Sequence, residues 1–544
     1  MKRLIFLGIV FVLSFAFVYS EHDKKPELQR NPFGIFDVQT NTAGNVRFSI
    51  TNFGINFLNI NSNAGSGFWP YATTNQYLFG SGFWFATQKW VYKDTVIDLG
   101  GGNYDTTTIR VKNKLCSMTY DPNNGGSWYV PGRIEESDTV EVDQWKHRIY
   151  FSTDFNSEGE PKRPLDRYNY PIWKTEPNYF GLGTYIMDLN ARNTNSYPDG
   201  PVYVSDEDIF STYKDTDLRM YRDTFNIRKA QGYPLRLQVE QYTYVWNDDD
   251  KKDMIVMFYK VINFSSDTLY DCFIAPLFDP DLAASVSYSQ GALNDRVKFY
   301  TVDRSLNLGY VWTGVDQGEM GKGFGYLGVS MPLTPAIGED GYLLPAPAYN
   351  DKGNQLGLIT FRNWTIEEDI RTDDLRYDLV SSGQIDESSI PGDRRMLFSS
   401  GPFIMLPQDT VYFAVQMNFA KPSLGGNASG EDDDVVDLVA KVRAGQEFLY
   451  SQLLSKFDEF NNKGYYLNVY PNPSSDILKI EHNFNGQVGI EIINQLGQLI
   501  VSEEINVTEH QAINVDLGVL SSGIYIIRII KNGMIFTEKF SVLK

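Results

Sequence analysis

The sequence predicts an all-β protein with a large β-sandwich body of one or two domains, one linker helix, and a small seven-stranded β-sandwich at the C-terminus. Three observations predict this. The chain of 544 residues holds 35 Phe, 34 Tyr and 9 Trp, and these residues, with Val, Ile and Thr, favour half-buried pleated surfaces. Turn signals recur throughout the chain, at 122–126, 247–250, 350–353 and 425–430. Only one long stretch repeats its apolar residues at helical spacing. The net charge of −20 leaves no basic surplus for displacing counterions from a duplex, so nucleic acid is not an expected partner. Two cysteines are too few for a disulfide-stapled scaffold.

Taken in order, residues 1–20 read as a secretory signal peptide. Lys2 and Arg3 precede a nearly unbroken apolar run at 4–18, and Val18 and Ser20 are the small residues a cleavage site needs, which makes Glu21 the mature start. The alternative is a membrane anchor, but the run is shorter than the ~20 residues that span a bilayer. No later stretch is long and apolar enough to span, so the exported protein is expected to be soluble.

Residues 21–431 form the β-rich body. A hairpin is plain at 235–246 and 254–264, two aromatic and β-branched runs joined by the charged turn 247–253. Another strand is expected at 411–419. Residues 432–466 read as helix and linker: Val435, Leu438, Val439, Val442, Phe448, Leu449, Leu453, Phe457 and Phe460 fall near helical spacing, Asp432–Asp434 offer a cap, and 461–464 read as the stop.

At 467 the composition changes. Residues 21–466 carry 68 aromatics, whereas 467–544 carry five and no Trp. The rhythm becomes seven short strands, at 467–470, 477–482, 487–493, 498–505, 511–517, 524–530 and 534–543. Val488, Ile490 and Ile492 alternate with Gly489 and Glu491, the period of a half-buried strand. Seven strands in so short a segment fit a small Ig-like sandwich.

Particular residues carry a resemblance here. Tyr470–Pro471–Asn472–Pro473 with Leu478 and Ile480, Leu496–Gly497–Gln498, the run from Leu520 through Gly523 to Tyr525, and the ending from Lys539 to Lys544 together resemble the C-terminal sorting domain of the type IX (Por) secretion system. The resemblance implies a protein secreted or attached to the cell surface, exterior to the outer membrane. Its implied partners are the type IX translocon, a sortase and surface lipopolysaccharide. Gly80–Trp84, Asp279–Asp281 and Ser399–Phe403 make the body similar to uncharacterised surface proteins with the same tail, and that likeness implies no activity.

The body offers few groups for chemistry. Of the four histidines only His147 lies within it; His22 is at the mature N-terminus and His482 and His510 are in the tail. A zinc site of several His or Cys ligands is therefore excluded, and no G-x-S-x-G elbow occurs. The glycines of Gly323–Gly328 match G-x-G-x-x-G, but Pro332 and Pro335 follow where a phosphate-binding helix must start. Asp279 and Asp281 flank Pro280. They read either as a calcium-ligating or acid–base pair, since Ca2+ takes oxygen donors, or as a turn whose side chains cap backbone donors. Gly65–Trp69 recurs as Gly80–Trp84. Trp69 and Trp84 are thus either ligand-facing platforms for sugar rings or core residues packed against small neighbours.

Cys116 and Cys272 are free thiols or a pair. Five Asp–Thr–X triplets, beginning at Asp94, Asp105, Asp138, Asp267 and Asp409, are similar to O-glycosylation sites of envelope proteins in bacteria with this secretion system, or are common strand-edge chemistry. The expectation is a type IX cargo whose body is a non-enzymatic structural or adhesive module. The alternatives are a glycan-binding protein and a carboxylate-based glycan hydrolase.

Overall fold

The structure is a computed structural model. It describes residues 36–123, 125–134, 149–154, 172–177, 183–186, 204–220, 231–284, 292–314, 324–345, 348–349, 351–388, 390–450, 467–482, 484–494, 498–508, 511–531 and 534–544. The expected signal peptide, His22, His147, His510, Gly497, the Asp138 triplet and the linker beyond 450 lie outside the described residues.

The body is built on two antiparallel sheets. The larger has nine strands. Its order runs from the edge strand Asp295–Phe299 through Leu308–Thr313, Tyr326–Leu333, Thr410–Ala420, Met254–Asn263, Leu237–Val245 and Glu207–Lys214 to Val130–Pro131, and Tyr150–Phe151 also pairs with Glu207–Lys214. The smaller has six, in the order Thr360–Thr365, Arg394–Met405, Leu269–Ala283, Gln76–Gly100, Gly67–Phe68, with Asn103–Met118 also paired to Gln76–Gly100. The hairpin read at 235–264 is there as Leu237–Val245 and Met254–Asn263, in continuous register from Leu237↔Asn263 to Val245↔Ile255. The G-x-G-x-x-G segment enters the strand Tyr326–Leu333, not a helix.

The sheets face each other across one hydrophobic core. Alternation along Met254–Asn263 sends Ile255, Met257, Tyr259 and Val261 into it, while Met254, Val256 and Phe258 join a second cluster on the sheet's other face. Both faces are covered, so the strand is apolar throughout rather than alternating. Phe83 of the smaller sheet meets Tyr259 and Phe413 of the larger at 5.3 Å each, and those two rings stack at 4.6 Å.

The expected long helix is there as Val436–Phe448, with a short one besides. Among the described residues there are two α-helices, Asp373–Val380 and Val436–Phe448, where the sequence predicts one. The first is too short, and buries too few apolar residues, to show a periodicity. The second is not a free linker. Leu438, Val439 and Val442 pack on Leu308, Tyr310, Trp312 and Tyr326 of the nine-stranded sheet, and Gly445 lets the helix approach Gln416, whose Nε2 would stand 2.3 Å from an added Cβ. Asp434 does not cap the helix: its carboxylate takes the Tyr326 hydroxyl at 2.7 Å and the Leu424 and Ser429 amides.

The tail is a seven-stranded sandwich. One sheet orders Leu467–Tyr470, Ile477–His482 and Ile513–Asp516; the other orders Leu499–Val507, Gly486–Asn494, Gly523–Lys531 and Met534–Val542. Its hydrophobic cluster draws on tail residues alone, with Leu478, Ile492, Leu517, Ile527 and Phe540 at its centre.

Candidate functional site: a buried carboxylate cluster and a C-terminal sandwich

The strand Leu269–Ala283 carries Asp279 and Asp281 two residues apart, at an irregular stretch of its pairing that leaves their carboxylates close together. Asp279 lies opposite Gly80. A Cβ at Gly80 would stand 2.7 Å from the Tyr120 hydroxyl. The missing side chain is the gap through which Tyr120 reaches Asp279, donating to its Oδ2 at 2.6 Å. Arg395, from the neighbouring strand, donates to Asp279 Oδ1 at 3.0 Å and to Asp393, and lies 3.8 Å from Asp369. Oxygens of Asp279, Asp281 and Asp393 lie within 4.8 Å of one another.

A fourth carboxylate, Asp295, stands beside these three. It opens the edge strand of the larger sheet. Its Oδ2 accepts from the amide of Leu282, next to Asp281, and its carbonyl accepts from the amide of Gly392, next to Asp393. The side chain is fully buried, yet Oδ1 has no hydrogen-bond partner among the described residues.

The electrostatics follow from the charge count. Burial pushes Asp279 up to about 6, against the pull of Arg395. Burial, then the Asp279 charge, holds Asp281 well above the ordinary carboxylate range. Burial, then the Asp281 charge, does the same to Asp295. Burial alone would lower Arg395, but Asp279 and Asp393 outweigh it and the net direction is up. With Asp369, five carboxylates thus gather around one firmly charged guanidinium. Such a site takes up protons or a hard cation. Asp279, Asp281 and Asp393 are the residues that would hold a metal. As an acid–base pair the first two are badly placed, because Asp279 is 3% exposed and cannot flank a substrate.

The sequence finds Asp279 and Asp281 but misses Asp295, Asp393, Arg395 and Tyr120. Asp393 and Arg395 sit two residues apart, but they lie far along the chain from Tyr120, Asp279 and Asp295, and only strand pairing gathers them.

The platform reading of the duplicated motif is corrected. Trp69 is 4% exposed, stacks on Phe419 at 5.8 Å and donates through Nε1 to Asp253 at 2.7 Å. Trp84 is fully buried, lies 6.2 Å from Trp364 and donates to the Tyr120 carbonyl at 3.0 Å. Neither ring offers a face to a dissolved ligand. Cys116 and Cys272 are buried free thiols.

The exposed aromatics lie elsewhere, on an arm. Gln76–Gly100 and Asn103–Met118 stay paired from Trp84↔Met118 to Gly100↔Asn103, while Leu269–Ala283 accompanies the first strand only as far as Gln88. Beyond that point the two strands form a ribbon. Trp90, Tyr92, Leu99 and Tyr104 are exposed on it, the tyrosines by 70% and 67%. Two of the Asp–Thr–X triplets oppose each other there, with Thr95 across from Thr107. Of the other described triplets, Asp409 accepts from the Leu406 amide and pairs with Arg528.

In the tail, the distant halves of the sorting motif meet. Asn472 donates to the Lys539 carbonyl at 3.0 Å and accepts from the Ser541 amide at 2.9 Å, fastening the Tyr470–Pro473 turn to the last strand. Ser474 exchanges backbone bonds with Ser541 and Leu543. Tyr470 donates to Glu481 at 2.9 Å. Tyr525, which follows Gly523 in its strand, stacks on Phe540 at 5.8 Å and donates to the Ser521 carbonyl. Lys544 donates to the carbonyls of Leu517 and Gly518.

Residues 468–543 match the family model described as the secretion system C-terminal sorting domain. No curated protein matches the chain. Among solved structures, a polysaccharide lyase is similar at 8% identity and a TM-score of 0.21, covering 93% of this chain and 46% of that one. A BSP domain of a biofilm-associated protein is similar at 10% identity and a TM-score of 0.14, covering 94% and 81%. The chain spans less than half of the lyase, and TM-scores this low define no shared fold.

Proposed function

We propose that this type IX secretion cargo carries a non-enzymatic structural or adhesive body to the cell surface or beyond, its C-terminal sandwich being the part that the translocon reads and a sortase removes. The sorting-domain match at 468–543 carries the reading. The tail's self-contained core supports it, since a tag recognised as a folded unit needs an interior of its own. No α-helix among the described residues is long and apolar enough to cross a membrane.

The exposed arm supports the adhesive role. Apolar side chains left in water on a ribbon with no other strand beside it among the described residues form the kind of patch that marks a contact surface. The same arm favours a second reading, glycan binding, because Trp90, Tyr92 and Tyr104 present aromatic rings to solvent. Surface lipopolysaccharide is the attachment point on either reading.

Deleting Leu467–Lys544 in a type IX-competent host and fractionating the cells tests the export claim. The truncated chain is expected to stay in the periplasm; undiminished delivery to the surface would refute the role of the tail. For the body, replacing residues 89–113 with a short turn should abolish adhesion or glycan retention while export continues.

A further inference from the structure

The structure assigns a calcium site to the junction of the two body sheets, with Asp279, Asp281 and Asp393 as ligands and the buried Asp295 beside them. Calcium is bound by six to eight oxygens at about 2.3–2.6 Å. Two oxygens on opposite sides of one ion are then about 4.8 Å apart, and the three carboxylates meet that limit. All donors are oxygen, which selects a hard cation over zinc or copper. The set is irregular and three of its members are carboxylates, which suits calcium better than magnesium, whose octahedron is strict and usually keeps several waters.

The second observation is independent of the triplet. Asp295 is fully buried on a different sheet, and its Oδ1 lacks a partner among the described residues. Its other oxygens are tied to Leu282 and Gly392, the neighbours of Asp281 and Asp393, so the open oxygen stands beside the cluster, one shell out from the three ligands. A buried carboxylate oxygen left unpaired is costly. An ion, or a water in its shell, supplies what Arg395 does not: its ion pairs are to Asp279, Asp393 and Asp369.

The position gives the ion a job. Asp279 and Asp281 lie on an inner strand of the six-stranded sheet, Asp393 leads directly into the strand beside it, and Asp295 opens the edge strand of the nine-stranded sheet. A bound ion ties the edge of one sheet to the middle of the other. Extracellular calcium modules bind at about 10⁻⁴–10⁻³ M, so such a site loads outside the cell.

The test uses the full chain, stripped with EDTA and titrated with CaCl2. Calorimetry should find one calcium per chain, and the thermal midpoint should rise with calcium and rise less with equal magnesium. Asp281→Asn and Asp295→Asn should each weaken calcium binding about tenfold or more. Their calcium-free midpoints should be unchanged or higher, since a like charge is gone. If either variant fails to fold, Asp393→Asn is read by the same criteria. No calcium-dependent heat or midpoint shift in the full chain overturns the assignment. So does an equal magnesium response, or a variant that binds as the parent does.

Discussion

Gly80 shows how much one missing side chain decides. The strand motif looks like a platform for Trp84, but its small residues serve the opposite strand: Gly80 and Gly82 would place a Cβ 2.7 Å and 2.5 Å from Tyr120 and Thr119. Gly80→Ala forces Tyr120 off Asp279. It is expected to destabilise the body by about 1–3 kcal/mol, the usual cost of overpacking, measured as a lower urea midpoint at unchanged slope. It should also weaken the calcium response, because Tyr120 holds Asp279 in place. At this scale the sequence shows residue types and spacing. It marks Asp279 and Asp281 as unusual, but Asp295 and Asp393 look like any turn acid until strands bring them together.

Strands were the most legible elements. All seven tail strands fall close to their expected positions, because a period of two over short runs bounded by Gly, Pro and Asn has one solution. The Val436–Phe448 helix was legible in its spacing and not in its place: periodicity shows an apolar face, and only the sheet shows what covers it. The arm is the opposite case. Nothing in the sequence around Trp90 and Tyr92 marks them as exposed, yet beyond Gln88 no other strand among the described residues lies beside the pair to bury them. Lys89, Val91, Lys112 and Asn113 still touch the body, so replacing only residues 93–109 with a short turn should leave the thermal midpoint nearly unchanged. A marked loss of stability would mean that the outer ribbon packs on the body after all.

Across the whole molecule, the tail touches the body through a buried ion pair. Arg528, on the outer face of its sheet, is 1% exposed; it donates to Asp409 at 2.9 Å and to the Pro407 carbonyl. Burial pushes Asp409 up to about 6, and Arg528 restrains the rise. A carboxyl that folds with a raised pKa costs stability as pH rises from about 4, its unfolded value, to about 6. Arg528→Met removes the restraint and leaves the buried carboxylate alone. The expected loss is about 3–5 kcal/mol at pH 7, read from the first urea transition, shrinking as the pH falls toward about 4. An equal loss at both ends of that range would show that Asp409 is not the group involved.

By itself the sequence determined the all-β class, the sandwich at the C-terminus and the sorting motif, because each rests on local spacing within one short segment. Tertiary structure decided the rest. It buried Trp69 and Trp84, bared the aromatics of the arm, set the helix on the body and gathered four carboxylates from two sheets. Those outcomes depend on which strands become neighbours, and long-range pairing is written in the packing of the whole core rather than in any stretch of chain.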